Sequence, residues 1–296
     1  MNLSIVEASA AELDEKLVVK TVIDSGMILI RSKNHSVDDF LAFSKKFSTE
    51  FISLNERQRT VGGNSGRETV EGNKSLFTVT GKNYGHDVPL HGELYFQQVH
   101  PPQLLWFYCA HSIKPGGETW LCDGQELFSG MALEMQKLFM DSDIIYERHH
   151  TKVEWMKIYS VDTIEALKKY LQTKNHTLVV NDDDSIITYF KTSPLRKNGK
   201  NLIFINNILP FALREIHTPN QTKSRVKFVG GKEIPKDVIL ELEQLATSLM
   251  VKIPWEKGDI VIVDNTRMLH GRGIIDDFDR EIYVRMSQTN LQHYVE

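Results

Sequence analysis

Hydrophobic residues recur along this chain at two spacings, one typical of helices and one typical of strands. Near the start, residues 9–22 carry apolar side chains at helical spacing, and 27–30 form a short apolar run typical of a strand. Ser36 precedes a second helical pattern over 37–47, and its hydroxyl is a preferred N-cap. The pattern therefore predicts a helix, a strand and a second helix in the first fifty residues.

Longer apolar runs in the rest of the chain predict buried strands at 104–110 and 260–263. Asp123 is expected to cap a helix over 125–140, whose apolar residues again recur at helical spacing. Further predicted elements are a helix at 163–170, strands at 178–180, 186–190 and 202–205, and a helix at 235–250. Many strands and few helices predict a mainly β protein with flanking helices.

Two short polar motifs beside the predicted strands carry the candidate chemistry. His91-Gly92-Glu93 follows a turn-like segment, and His270-Gly271-Arg272 follows the strand at 260–263. Two imidazoles and one carboxylate can hold three adjoining positions of an octahedral ion and leave the others open to a chelating cosubstrate and dioxygen. Metal ligands at strand ends, in a chain rich in strands, fit a double-stranded β-helix, the jelly-roll core shared with cupins.

The chain resembles the iron(II)/2-oxoglutarate oxygenases of the taurine dioxygenase and clavaminate synthase type. Gly116-Gly117-Glu118-Thr119, followed by Asp123-Gly124, is similar to the G-G-E-T segment of that family. Residues 255–273 are similar to its block running from W-x-x-G-D to H-G-R, and the resemblance extends from about 79 to 286. It implies a dioxygenase that needs Fe(II), 2-oxoglutarate and dioxygen and releases succinate and carbon dioxide.

The resemblance also implies roles for single residues. The metal ligands would be His91, Glu93 and His270. Thr119 and an Arg in the strand after the second His would hold the distal carboxylate of 2-oxoglutarate. Arg280 and Arg285 are both candidates, but residues an odd number apart in a regular strand face opposite sides. Arg285 lies inside a strand-like run and Arg280 directly follows a turn, so Arg285 is favoured and Arg280 is the reserve.

Glu93 stands where the commonest pattern of the resembled family has Asp, a variant shared by clavaminate synthase-like members and several amino-acid hydroxylases. It suggests hydroxylation of an unactivated C–H bond in a small amino-acid-like or carboxylate substrate, free or tethered to a carrier. Desaturation or cyclising oxidation on the same scaffold, a non-catalytic cupin-like binding protein and a zinc hydrolase are the alternatives.

The length of 296 residues predicts one catalytic domain, 1–296. The segment between the two motifs is longer than a plain loop, and in the resembled family an insert here supplies a substrate lid. Its polar and basic part, about 191–232, is the predicted lid. Its cations form either a solvated face, the favoured interpretation, or a site for a substrate carboxylate or carrier phosphate. Asn206 and Asn207 could line the pocket, and the polar loop 55–72 could border it.

Composition limits the remaining possibilities. The net charge of −4 gives no electrostatic support for binding to nucleic acid or a membrane, so a small-molecule substrate is expected. Cys109 and Cys122 do not form a disulfide framework, and neither a signal-peptide pattern nor a membrane-length apolar run is visible. A cytoplasmic protein is expected, and the oligomeric state is left open. The adjacent His149 and His150 should face opposite sides of a strand and not share a metal.

Overall fold

The computed structural model describes residues 3–53, 67–70, 72–79, 86–111, 116–219, 223–276, 279–289 and 291. Its strands are β1 (Ile5–Glu7), β2 (Met27–Arg31), β3 (Phe77–Thr78), β4 (Val88–His91), β5 (Leu104–His111), β6 (Thr119–Asp123), β7 (Ile144–His150), β8 (His176–Val180), β9 (Ile186–Thr192), β10 (Leu195–Asn198), β11 (Asn201–Phe204), β12 (Ser224–Phe228), β13 (Val251–Lys252), β14 (Ile260–Asp264), β15 (Met268–Arg272) and β16 (Glu281–Ser287). Its helices are α1 (Glu15–Ser25), α2 (Val37–Phe47), α3 (Gly124–Gly130), α4 (Leu133–Met140), α5 (Lys152–Ile158), α6 (Ile164–Thr173), α7 (Ile208–His217) and α8 (Lys236–Leu249).

Two of the sheets form the jelly-roll core. The larger has the strand order β1-β2-β14-β5-β16-β3, and the smaller has the order β13-β6-β15-β4. Apart from the parallel β1-β2 pair, the strand pairs of the larger sheet are antiparallel, as are those of β6 with β13 and β15. Strands far apart in sequence therefore pair, as in a double-stranded β-helix. The predicted mainly β fold with flanking helices and a jelly-roll core is confirmed.

Contacts divide the chain into two compact units, each built from separate stretches of sequence. The first unit comprises Met1–Val88, Pro102–Asp123 and Val251–Glu296, and the second comprises Pro89–Pro101 and Gly124–Met250. The expectation of a single catalytic domain stays a prediction. Most of the polar loop predicted at 55–72 lies outside the described residues.

In the first unit, α2 covers one face of the larger sheet. Phe43 and Phe47 of α2 pack on Trp106 of β5, with ring centroids 6.5 and 5.6 Å apart, and all three side chains are buried. Burial of each such side chain contributes about 1.5 to 3 kcal/mol. Ser36 caps the helix through a capping box with Asp39, so this helix begins and ends where the sequence predicted.

Two helices have bounds in the structure that differ from those predicted from the sequence. The first begins at Glu15 and not near residue 9, because the Asp14 carboxylate accepts a hydrogen bond from the Lys16 amide at 2.9 Å and fixes the N-terminus there. The helix expected over 125–140 is instead α3 and α4, separated by an extended Ala132. Gly130, a poor helix former, precedes the break.

The second unit contains a sheet with the strand order β12-β7-β9-β8, a β10-β11 hairpin and six helices among its described residues. The structure confirms strands β8, β9 and β11 and helices α6 and α8. The sequence pattern gave no prediction for β10, β12, α5 and α7, and it indicated β7 only through the expected alternation of His149 and His150. Pro210 obscured α7, although proline is tolerated in a first helical turn. Asp182, Asp183 and Asp184 lie in the β8-β9 turn. No helix in the described part of the chain is long and apolar enough to cross a membrane.

Candidate active site

His91 is the last residue of β4, and its ring orientation is fixed locally. Its Nδ1 lies 2.8 Å from the carbonyl oxygen of Pro89. A carbonyl can only accept, so Nδ1 carries the proton and the lone pair is on Nε2. A backbone carbonyl on the far nitrogen is the usual arrangement for an imidazole that binds a metal. The ring is therefore prepared to ligate through Nε2.

Gly92, between the two ligands of the first motif, is required by packing. A Cβ at this position would lie 2.6 Å from Cδ2 of Tyr95 and 2.9 Å from Cγ1 of Ile205, both too close for unbonded carbons. Its backbone N–H donates to the carbonyl of Asn206 at 2.9 Å. The turn that carries Glu93 is thus held against the chain that follows β11.

Glu93 is buried, and the residue after it has an uncommon backbone conformation. Leu94 has φ of 65°, in the left-handed region that residues other than glycine rarely adopt. Such a conformation costs of order 1 to 3 kcal/mol and persists only where the surroundings impose it. Here it turns the chain sharply directly after the carboxylate.

His270 lies in β15, opposite Leu121 of β6, and its ring is 6.2 Å from that of Phe107. Arg272, two residues on, is opposite Thr119. His270 and Thr119 therefore share one face of the sheet, because residues two apart in a strand, and residues directly opposite in a pair, point to the same side. Both side chains are buried.

The structure brings the three predicted metal ligands together. His91, Glu93 and His270 each offer one ligand atom, and all three atoms lie within 4.8 Å of one another. The three donor atoms therefore surround one common point, which is the arrangement that a single ion needs. The donor set, two imidazoles and one carboxylate with no thiolate, suits non-heme Fe(II).

Thr119 is oriented by a hydrogen bond that the sequence did not indicate. The indole Nε1 of Trp255 donates to the Thr119 hydroxyl oxygen at 3.1 Å. Because this bond uses the oxygen as an acceptor, the hydroxyl proton is left to be donated elsewhere. An anionic cosubstrate oxygen is a suitable acceptor for it.

Arg280 lies beside the G-G-E-T segment. A Cβ on Gly117 would be 3.2 Å from Arg280 Nε and 2.7 Å from Ile275, and Gly117 has φ of 65°, so this position requires glycine. Arg280 is buried, directly precedes β16, and lies near enough to the Cys109 thiol of β5 for its charge to oppose the rise in the pKa of that thiol. Ile282 pairs with Cys109 of β5, on the same face as Phe107.

Arg285 lies on the face of β16 opposite to that of Ile282. It is opposite Trp106, whose ring packs against α2, whereas His270 contacts the neighbouring Phe107. Its guanidinium donates to the hydroxyl of Ser44 at 2.6 Å, to that of Ser75 at 3.1 Å and to the carbonyl of Leu41 at 3.4 Å. It also stacks on Phe51. Burial lowers the pKa of Arg285 to about 10, so the side chain stays charged at neutral pH. The expectation that Arg285 points into the barrel does not match this register.

Other residues singled out in the sequence have structural contacts. Arg267 binds the Asp123 carboxylate and the carbonyls of Ile23 and Asp24. Arg272 donates to the carbonyls of Gly273 and His86. His149 is exposed and bonds to Glu147, while His150 is buried, as strand alternation predicted.

Four of the nine lysines and arginines of the predicted lid, 191–232, form ion pairs with carboxylates. Lys191 lies near Asp143, Lys223 near Glu154, Arg225 near Glu215, and Lys227 near Glu147 and Glu233. Arg196 lies over the ring of Tyr95. Asn206 is buried, donates to the carbonyl of Pro194 and accepts from the amide of Ile208 at the start of α7. The pairing favours the solvated-face interpretation for these cations.

Two supporting residues, Gly92 and Trp255, had no role assigned from sequence, although each lies in one of the two motif blocks. Asn206, expected as a pocket residue, is buried and accepts the hydrogen bond from the Gly92 amide. The close approach of Gly92 to Ile205, and the bond from Gly92 to Asn206, join segments more than a hundred residues apart. Local patterns contain no information about such contacts.

A jelly-roll core that holds two histidines and one carboxylate in or beside its strands is typical of the non-heme iron oxygenases. Residues 2–286 match the family described as "Taurine catabolism dioxygenase TauD, TfdA family". The chain therefore belongs to this family. It is an Fe(II)/2-oxoglutarate-dependent dioxygenase, and its triad fits that metal.

Two sequence relatives and one solved structure illustrate the similarity. A clavaminate synthase-like protein of Arabidopsis thaliana is 23% identical over 270 residues, covering 86% of this chain and 79% of that protein. The dapdiamide synthesis protein DdaC of Enterobacter agglomerans is 24% identical over 242 residues, covering 75% of this chain and 70% of that protein. PvcB, an Fe, alpha-ketoglutarate dependent oxygenase from an isonitrile synthetic pathway, superposes with a TM-score of 0.59 at 11% identity, covering 95% of this chain and 84% of PvcB.

Proposed function

We propose that this dioxygenase hydroxylates an unactivated C–H bond of a small amino-acid-like or carboxylate substrate, free or tethered to a carrier. The complete triad of His91, Glu93 and His270 carries the proposal. The relatives named for dapdiamide synthesis and for an isonitrile pathway support a substrate of this kind. Cys109 and Cys122 are buried thiols, which supports a cytoplasmic location.

In this proposal His91, Glu93 and His270 hold one side of the metal. Iron(II) with 2-oxoglutarate and dioxygen supplies the oxidising chemistry, and 2-oxoglutarate leaves as succinate and carbon dioxide. Thr119 donates its hydroxyl proton to the distal carboxylate of the cosubstrate, because Trp255 already occupies its oxygen as an acceptor.

We assign the second contact to that carboxylate to Arg280 in place of Arg285. Arg280 is beside Gly117, two residues from Thr119, and lies near Cys109, which is on the same face of β5 as Phe107. A guanidinium there can pair bidentately with a carboxylate and keeps its charge at any working pH. Arg285, on the other face, is already bonded to Ser44 and Ser75.

The test is succinate formation from 2-oxoglutarate by the iron-loaded protein across a panel of amino acids and small carboxylates, including carrier-bound forms. His91→Ala and His270→Ala should each abolish iron-dependent turnover while the circular dichroism spectrum stays that of a folded protein. Zinc in place of iron should give no turnover. Unchanged turnover in either variant would remove these residues from the metal site.

A further inference from the structure

A partly buried cation of the second unit, Arg148 of β7, has few partners. Its Nη1 donates to Gln97 Oε1 at 3.1 Å, and its guanidinium lies over the ring of Phe96, 5.0 Å from the centroid. Among the described residues, no carboxylate forms an ion pair with it. Leaving a charge away from water without a counter-charge is costly, so such a cation calls for an explanation.

Arg148 is deep in the protein and yet accessible. Burial lowers the pKa of its guanidinium, but part of its surface remains open. Part of the Arg148 side chain can therefore be reached from solvent. The guanidinium of Arg148 has fewer contacts than that of Arg285, which makes three hydrogen bonds and a close ring contact.

The neighbours of Arg148 on the sheet leave polar atoms unused. Thr188 of β9 is directly opposite and is buried, and its hydroxyl has no hydrogen-bond partner among the described residues. The same is true of His150 Nε2, two residues along β7 on the same face. Burial lowers the pKa of His150 to about 3, and the charge of Arg148 adds to this effect, so His150 is neutral at neutral pH and supplies no counter-charge.

This surface is linked to the turn that carries a metal ligand. Phe96 and Gln97 are three and four residues after Glu93, and the Gln97 amide bonds to the carbonyl of Leu94. Four residues of chain span at most roughly 14 Å, and a turn shortens that distance. The guanidinium beside Phe96 and Gln97 is therefore tied to the backbone next to a metal ligand.

We propose that Arg148 binds the carboxylate of the substrate, with the Thr188 hydroxyl as an adjacent donor and Phe96 as the apolar wall beside it. This inference rests on the proposed function, and it narrows the substrate to a small molecule with a free carboxylate. The guanidinium fork supplies two parallel donors to the carboxylate. The carboxylate also supplies the counter-charge that the described residues lack.

The test uses acetate as the probe, on protein saturated with Mn(II) and 2-oxoglutarate so that the cosubstrate site is filled. Acetate binding is measured by calorimetry and by thermal unfolding at constant ionic strength. Wild type should bind acetate and gain about 3 °C at roughly ten times the dissociation constant. Arg148→Gln should weaken this binding by about ten- to a hundredfold.

Arg225→Gln is the matched control, because Arg225 is on the neighbouring strand β12 and already pairs with Glu215. It should keep the wild-type response to acetate. Arg148→Lys, which keeps the charge but not the fork, should bind with intermediate affinity and provides a second variant if Arg148→Gln does not fold.

The absence of an acetate response in wild type, or equal responses in wild type and the Arg148 variants, would overturn the proposal. Acetate binding needs no turnover, so this result is separate from the proposed function, which fails if wild type forms no succinate on any substrate of the panel. For a substrate found by that panel, Arg148→Gln should raise its KM more than it lowers kcat.

Discussion

At the scale of single residues, side chains of one type have different roles because of what surrounds them. Arg280, Arg285 and Arg148 are all guanidinium groups with little exposure, yet Arg285 is occupied by two hydroxyls and a carbonyl. Arg280 adjoins the glycine turn before Thr119, and Arg148 contacts Gln97 and the ring of Phe96 and forms no ion pair with a carboxylate of the described residues. The partners of each guanidinium, and not the residue type, determine its role.

Arg280→Gln should raise the concentration of 2-oxoglutarate required for half-maximal turnover by about ten- to a hundredfold, because the variant removes a charge-assisted fork worth about 1.5 to 3 kcal/mol. Arg285→Gln should leave that requirement near wild type and lower the melting temperature, since Ser44 and Ser75 lose their partner. Titration of 2-oxoglutarate in the turnover assay and calorimetry measure the two effects. The reverse result would restore Arg285 as the cosubstrate ligand.

His150 should make stability depend on pH. Burial lowers its pKa to about 3 in the folded protein, against about 6.5 in the unfolded chain. Below pH 6.5 the unfolded chain binds the extra proton, so the free energy of unfolding falls as pH decreases between about 6.5 and 3. At pH 5.5 the expected loss is about 1.4 kcal/mol.

In His150→Gln, the free energy of unfolding should no longer fall between pH 6.5 and 5.5 through this histidine. Urea unfolding of both proteins at pH 8.0, 6.5 and 5.5 measures that free energy. The difference between variant and wild type at pH 8.0 gives the effect of the substitution on packing, which is subtracted at the lower pH values. Parallel slopes for the two proteins across this range would show that His150 does not titrate as its burial implies.

At the scale of elements, the segment predicted as a lid contains regular structure. Residues 191–232 include the β10-β11 hairpin, α7 and β12, and the buried residues of α7 are Ile208, Leu209 and Leu213. Its ion pairs to Asp143 and Glu154 connect it to the β7 region. A lid here would move as an assembled element and not as an unstructured loop.

Limited trypsin digestion should cut this segment in the apo protein, first after Lys197 or Lys200, which are exposed at the β10-β11 turn. Metal, 2-oxoglutarate and a substrate together should slow the cut, because closure would exclude water from the oxidising site. Mass spectrometry of the fragments over time measures the rate. Equal rates with and without the three ligands would argue against a lid coupled to substrate.

At the scale of the whole molecule, the jelly-roll core brings ligands that are distant in sequence into one metal site. Whether the carboxylate ligand, Glu93, is present determines the type of reaction. Glu93 fills the position that halogenases of the superfamily leave to chloride. With a carboxylate there and a chelating cosubstrate bound, one coordination position is left for dioxygen. Oxygen transfer is therefore expected, and chlorination is not.

Products formed in chloride buffer under isotopically labelled dioxygen should gain one labelled oxygen atom and no chlorine, as read by mass spectrometry. An unlabelled product two mass units lighter than the substrate would indicate desaturation or cyclisation on the same scaffold. A chlorinated product from the unmodified enzyme would contradict the role given to Glu93.

The sequence alone determined the elements whose signals are local. The Ser36 cap with the apolar spacing of α2, the apolar runs of β5 and β14, and the two ligand motifs all lie within short windows, so pattern and resemblance were sufficient for them. Only the tertiary structure decided the side of β16 on which Arg285 lies, the fit of Gly92 between Tyr95 and Ile205, and the contacts of Arg148 with Phe96 and Gln97. Each of these three features depends on which distant strand or segment lies beside the residue. Alternation along a strand separates its residues onto two faces, but it does not show which face lines the ligand site.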